Sequence, residues 1–307
     1  MALLALAAGQ VFAVRVSPRS AAERLDIDGY VHVQWQQDFR ACARPKYGFV
    51  LRRARVEFEY RFDERAAAVL ELGADRLELT VKDAFVEYRV GRPLRLAAGL
   101  RKMPFSLEEL TPARRLLMIE RTTVNDAFGR PGFLGRDIGL TVEGELFERT
   151  LPVGYALGVY NGTRGRLHRD YDDAKQFVER LTVSPARWLT VGLNATQRND
   201  SLTGELLHAG GGDFRVRAGG LLLEAELLAA RLVAGRTMLG GYLAGSYRLG
   251  PFEPGLRLER LSADNPQTAL TAGLNWHLHR RMRLKANWVS EFAPAGRLAL
   301  VEAQAGF

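Results

Sequence analysis

Hydrophobic and polar residues alternate with a period of two along most of the chain. Between Tyr30 and Phe39 the apolar positions are Val31, Val33, Trp35 and Phe39, interleaved with His32, Gln34, Gln36 and Asp38. Val56, Phe58, Tyr60 and Phe62 alternate with Arg55, Glu57, Glu59 and Arg61. Farther on, Leu270, Ala272, Leu274, Trp276 and Leu278 oppose Thr271, Gly273, Asn275, His277 and His279. Met282, Leu284, Ala286, Trp288 and Phe292 then oppose Arg281, Arg283, Lys285, Asn287 and Glu291. Side chains of a strand point alternately to the two faces of a sheet, so the pattern predicts strands with one apolar and one wet face.

Extended over the chain, this rhythm predicts sixteen strands. The first half holds those near 29–40, 48–62, 66–74, 77–90, 93–102, 135–147, 152–161 and 174–184. The second half holds 187–198, 205–217, 219–232, 238–249, 252–262, 268–278, 281–292 and 298–307. Short Gly, Pro, Asn or Asp turns join most of them. The phase blurs in 174–184 and 205–217. Leu221 to Ala234 (LLLEAELLAARLVA) has good helix formers throughout. The strand is the better reading there, because Gly219-Gly220 precedes it and a strand pattern follows.

Sixteen amphipathic strands can meet in a soluble sandwich, or close into a membrane barrel with lipid outside and a polar lumen within. No run reaches the roughly eighteen apolar residues that a spanning helix needs. Trp276, Trp288, Phe292, Tyr242 and Phe307 fall on apolar faces, as an aromatic girdle requires. Met1 to Ala13 (MALLALAAGQVFA) has the apolar run and small terminal residues of a shortened secretory signal. Residues 1–13 are therefore expected to be a truncated signal peptide, 14–28 an N-terminal periplasmic segment, and 29–307 an all-β, 16-stranded antiparallel transmembrane β-barrel.

The stretch 103–134 breaks the rhythm and is too long for a plain hairpin. Thr111-Pro112 suits a helix start, and Arg114 to Arg121 reads as a short helix. Folded into the barrel, this segment would be a constriction loop carrying Arg114, Arg115 and Arg121.

The charge balance points to anions. Lys+Arg number 43 against 35 Asp+Glu, a net +8. Only Lys46, Lys82, Lys102, Lys175 and Lys285 are lysines, and the arginines run from Arg15 to Arg297 rather than forming one nucleic-acid patch. The strand phases place Arg53, Arg55, Arg95, Arg101, Arg215, Arg217, Arg257, Arg281, Arg283 and Lys285 on the inward face. Such a column offers anions successive weak sites. Inward acids, among them Glu57, Glu59, Asp83, Glu87, Glu259 and Glu291, could instead pair with the arginines and stiffen the wall. Cys42 stands alone, which excludes an internal disulfide. No His-Glu-x-x-His, Gly-x-Ser-x-Gly or phosphate-loop motif occurs. No enzyme, metal site or cofactor is expected.

Several blocks, in order, resemble the phosphate-selective porins of the O and P type from Gram-negative outer membranes. They are Phe49 to Arg55, Lys82 to Tyr88, Gly99 to Glu108 (GLRKMPFSLE), Glu120-Arg121, Gly135 to Gly139 and Gly158 to Gly162. The C-terminal Gln304-Ala305-Gly306-Phe307 resembles the family's assembly signal. The resemblance implies a homotrimer in the outer-membrane lipid that passes small anionic solutes, phosphate among them, through a basic lumen. It places Lys102 and Arg136 at basic positions of matching blocks. The pore set expected is thus Arg53, Arg55, Arg101, Lys102, Arg114, Arg115, Arg121, Arg136, Arg215, Arg217, Arg281, Arg283 and Lys285. A plugged barrel with a structural, envelope-anchoring role is the alternative, and a periplasmic all-β binding protein a third.

Overall fold

The computed structural model describes residues 2–7, 10–15, 23–163, 170, 173–293 and 295–307. The period-two segments form sixteen strands, each antiparallel to both neighbours, and the last pairs with the first to close the barrel. They are β1 (Arg24–Asp38), β2 (Tyr47–Arg61), β3 (Ala66–Asp75), β4 (Glu78–Gly91), β5 (Leu94–Lys102), β6 (Arg136–Leu146), β7 (Val153–Tyr160) and β8 (Gln176–Ala186). Then come β9 (Leu189–Asn199), β10 (Leu206–Ala218), β11 (Leu221–Arg231), β12 (Thr237–Tyr247), β13 (Phe252–Ser262), β14 (Gln267–His279), β15 (Met282–Ala293) and β16 (Ala295–Gly306). Ala2–Ala7 and Gln10–Arg15 pair in a separate hairpin. The remainder of the stretch expected to be a signal, 1–13, lies outside the described residues.

β1 begins five residues before the expected Gly29. Leu25 and Ile27 continue the alternation, but Asp26 and Asp28 between them are poor strand formers. Their partners Glu59 and Glu57 show that both aspartates face the wet interior. One rim carries only short turns, such as that at 219–220, where Gly219 takes φ 59. The other rim carries the long connections 39–46, 103–135 and 161–175.

The distribution of residues is that of a barrel in lipid. Leu140, Leu193, Leu227 and Leu256 point outward and are more than half exposed, whereas Lys285, Glu302 and His32 are buried within. Trp276, Trp288, Phe292 and Phe307 are exposed on the outer wall. Tyr242 is not part of this girdle. It points inward and packs with Leu117 and Met118 of the 103–134 segment.

That segment folds into the lumen, but not as the helix expected at Arg114 to Arg121. Its helices are α1 (Leu107–Leu110) and α2 (Thr123–Gly129), with a single 3-10 turn at Ala113–Arg115. Pro112 precedes that turn and supplies no side-chain cap. Beyond it, the barrel wall takes over the backbone's hydrogen bonds. Lys285 Nζ donates to the Leu116 and Met118 carbonyls at 2.9 and 3.0 Å. Asn275 donates to the Leu117 carbonyl, and Ile119 N donates to Asn287. A segment so satisfied stays extended.

The rest of the loop builds a core inside the barrel. Phe105, Phe128 and Phe133, with no exposed surface, pack with Met103 and Val124 against inward Tyr160, Val178, Leu207, Leu228, Met238 and Leu261. Phe128→Ala should cost about 3–5 kcal/mol of loop docking, because such truncations leave a cavity that rigid surroundings cannot fill. Faster amide exchange across 103–134, with the barrel strands still protected, is the result that checks it.

Candidate permeation site

The loop leans on the inner face of β7 to β15, so the remaining space lies along β1 to β6 and at the short-turn end. Three cavities occupy it. The middle one, about 380 Å³, lies between the loop and the wall and includes Arg53, Arg55, Glu71, Asp83, Arg121 and Arg136 in its lining. It shares Arg101, Lys102 and Leu110 with a cavity of about 420 Å³. It shares Asp28, Tyr30 and Arg114 with a vestibule of about 820 Å³ at the short-turn rim.

Most basic residues of the middle cavity are held by carboxylates. Arg136 makes a two-pronged pair with Asp83 at 3.0 and 2.8 Å. Arg55 bridges Glu71 at 3.3 Å and Asp75 at 2.9 Å. Arg53 reaches Glu120 at 3.2 Å, beside the two-pronged Arg52–Glu120 pair. Arg101 pairs with Glu143 at 3.2 Å. Lys102 and Arg121 sit 3.5 and 3.4 Å from Glu109. Arg121 also donates to the carbonyls of Glu108, Glu109 and Thr111, which ties the loop to itself.

Two further expected residues clamp the loop rather than line a path. Lys285 is buried beneath it, as described above. Arg215 pairs with Glu224 at 2.8 Å and donates to Thr111 Oγ1 of the loop at the same distance. Arg114 is paired with Asp28 at the vestibule edge.

The vestibule is different. Arg115, Arg217, Arg248, Arg280, Arg281 and Arg283 line it. Among the described residues none of the six has a carboxylate partner, and Arg283 instead donates to Gln304 and to the Arg114 carbonyl. The lining acids, Asp28 and Glu253, are already engaged by Arg114 and by His277 at 2.8 Å. The structure thus separates a neutralised middle section from an unneutralised basic mouth.

Sequence reasoning missed Arg248, which falls in the expected strand 238–249 but lies just past the end of β12, and Arg280, a turn residue with no strand phase. It named Glu259 as an inward acid, which pairs with Arg257 at 2.9 Å, but missed that Glu259 and Glu226 anchor the loop. Glu226 accepts from Leu107 N at 2.7 Å and Ser106 Oγ at 2.9 Å, capping α1 from across the barrel. Glu259 accepts from Thr123 N and Oγ1 at 2.9 Å. For Glu226, an inward carboxylate between the apolar Ala225 and Leu227 was the available signal.

Glu108, on the loop, is pushed up to about 7 by burial, opposed by Arg257 and by hydrogen bonds from Thr122. A carboxyl whose folded pKa lies above its ordinary value favours the folded form most at low pH. That contribution is full below about 4.5 and is lost as pH rises to about 7, a change of up to roughly 3 kcal/mol. Thermal unfolding of the native barrel should show a falling midpoint over this window, and Glu108→Gln should lessen the fall.

An apolar exterior, a polar interior and an in-folded loop narrowing a closed sixteen-stranded barrel define an outer-membrane porin. The chain belongs to the family of phosphate-selective porins O and P, whose model matches residues 45–219. Its fold is similar to Salmonella typhi OmpF, solved in complex with daunomycin, at 9% identity and TM-score 0.69, covering 93% of this chain and 98% of that one. It is also similar to the trimer form of Vibrio cholerae OmpT, at 11% identity and TM-score 0.63, covering 93% and 100%. A Rhodopseudomonas blastica porin mutant gives 12% identity and TM-score 0.62, covering 92% and 100%. Comparison with the curated proteins found no match in sequence. The protein is a multi-pass barrel of the outer membrane.

Proposed function

We propose that this porin supports passive, anion-favouring diffusion of small solutes, inorganic phosphate among them, and assembles as a homotrimer exported by the signal at 1–13. The observation that carries the reading is the short-turn vestibule, where six arginines lack carboxylate partners among the described residues. Anions concentrate where the local potential is positive, and low-dielectric walls focus that potential. The paired residues of the middle cavity hold its shape, with Lys102 and Arg136 beside the loop. A small anion would leave the vestibule for this section without meeting a deep binding well, as conduction requires. The trimer form of the similar Vibrio cholerae OmpT supports the assembly.

The test is a planar bilayer with purified protein under a salt gradient. Discrete current steps with an anion-favouring reversal potential, reduced by added phosphate, are the expected result. A cation-favouring reversal would reject anion preference. A folded barrel without conductance would leave the plugged, envelope-anchoring role.

A further inference from the structure

The outer wall of β9 to β13 holds a trough that the permeation path does not use. Its outward residues lie in rows of register partners. One row runs Arg260, Gly241, Leu227, Gly212 and Leu193 from β13 to β9. The next row toward the turns runs Leu258, Leu243, Ala225, Phe214 and Val191. Gly241, Gly212 and Ala225 form the floor between the larger side chains, and the trough measures about 910 Å³.

The trough is oblique to the rims. Arg260 lies two residues from the loop-side end of β13, whereas Leu193 lies six residues, about 20 Å, from that end of β9. Trp188, in the β8–β9 turn at the opposite rim, closes the lower end. The trough therefore starts beside an arginine at one interface and descends through the hydrocarbon layer to a tryptophan at the other.

Arg260 is exposed and, among the described residues, has no ion pair. Arg231, beside His208, adds a second outward cation at the same rim. An arginine on the lipid face is tolerated near the interface, where an anionic headgroup can meet it. Its fork matches a phosphate through two parallel hydrogen bonds. We propose that the trough binds a phosphorylated lipid of the loop-side leaflet, with an acyl chain on the glycine floor and the phosphate on Arg260. A second copy of the chain is the competing occupant, since Glu179 faces outward on β8 and could meet Arg260 of a neighbour. The sequence of cation, apolar trough and rim tryptophan is that of a wall facing lipid.

The test measures retention of hexa-acyl lipid A, and of the same lipid dephosphorylated, on the full-length protein in detergent by native mass spectrometry. The phosphorylated form should be retained about tenfold more strongly. Arg260→Gln should abolish that preference and Arg260→Lys should keep part of it. Gly212→Leu should weaken both forms, because a Cβ there meets nothing closer than Leu193 Cδ2 at 3.5 Å and the side chain would fill the trough. Unheated gel mobility checks folding, and the comparison of the two lipids on the unsubstituted protein stands if a variant fails to fold. Equal retention of both lipids by the unsubstituted protein overturns the proposal. So does a change of oligomeric state with Arg260→Gln or Glu179→Gln, which would assign the trough to a second copy.

Discussion

Replacing Arg115, Arg217 and Arg281 together by glutamine is expected to lower the anion-over-cation permeability ratio roughly sixtyfold in dilute salt. A unit charge about 10 Å from a permeating ion in water contributes roughly 0.4 kcal/mol. Three such charges contribute roughly 1.2 kcal/mol in favour of an anion and the same against a cation, about eightfold each way and roughly sixtyfold in the ratio. These three are expected pore residues that have no carboxylate partner among the described residues and, unlike Arg283 and Lys285, hold no loop carbonyl, and all three are exposed in the vestibule. Their loss therefore changes the potential without orphaning a buried partner. The effect should shrink toward 1 M salt, where the screening length falls to about 3 Å. Reversal potentials at several salt concentrations measure it. Neutralising the Arg136–Asp83 pair as Arg136→Gln with Asp83→Asn removes opposite charges together, so selectivity should stay near that of the unsubstituted protein. If the paired residues proved decisive and the vestibule arginines silent, the placement of selectivity at the short-turn mouth would fall.

The sequence made the barrel legible wherever the outer face is apolar and the inner face polar. β14 and β15 are such strands: Trp276 and Trp288 lie outside, and Asn275, Lys285 and Asn287 lie buried inside. The rhythm blurred where the inner face packs on the apolar core of the loop. Val178 on β8, Leu207 on β10, and Leu228 and Ala230 on β11 all point inward and are buried in the loop core. With Leu228 and Ala230 inward beside outward Leu227 and Ala229, the second half of β11 offers no alternation to see, and its helix-like composition follows. Tyr242 was misplaced for the same reason. An apolar side chain on an inner wall is invisible as such until the element covering it is known.

The candidate site was legible only as a list of inward cations. Strand phase says that Arg53, Arg55, Arg101 and Arg217 share the lumen. It does not say which of them meets a carboxylate, because such pairs join strands and loop residues far apart in the chain. Arg53 and Glu120 are 67 positions apart and Arg136 and Asp83 53 apart. The role of Lys285 as a clamp was equally hidden, since its partners are backbone carbonyls with no sequence signature.

Removing two polar anchors of the loop, as Glu226→Leu with Lys285→Met, should raise single-channel conductance several-fold and make the open current noisy. Glu226 holds the start of α1 through Leu107 N and Ser106 Oγ, and Lys285 holds the extended segment through two carbonyls. Glu226→Leu strips the partner from Leu107 N, Glu108 N and the Ser106 hydroxyl, Lys285→Met from two carbonyls, and a buried orphan costs roughly 1–3 kcal/mol. The anchors share no partner, so their effects should roughly add, to about 4 kcal/mol or more. The aromatic core of Phe105, Phe128 and Phe133 opposes release, so the single variants should show noise with little change in mean current. Both substituted side chains are buried, and the ladder of strand pairs does not depend on them. The double variant should therefore keep the heat-modifiable mobility of a closed barrel. A folded double variant with unchanged, quiet conductance would mean that the loop does not limit the current, and that the narrowest section lies elsewhere along the β1 to β6 wall.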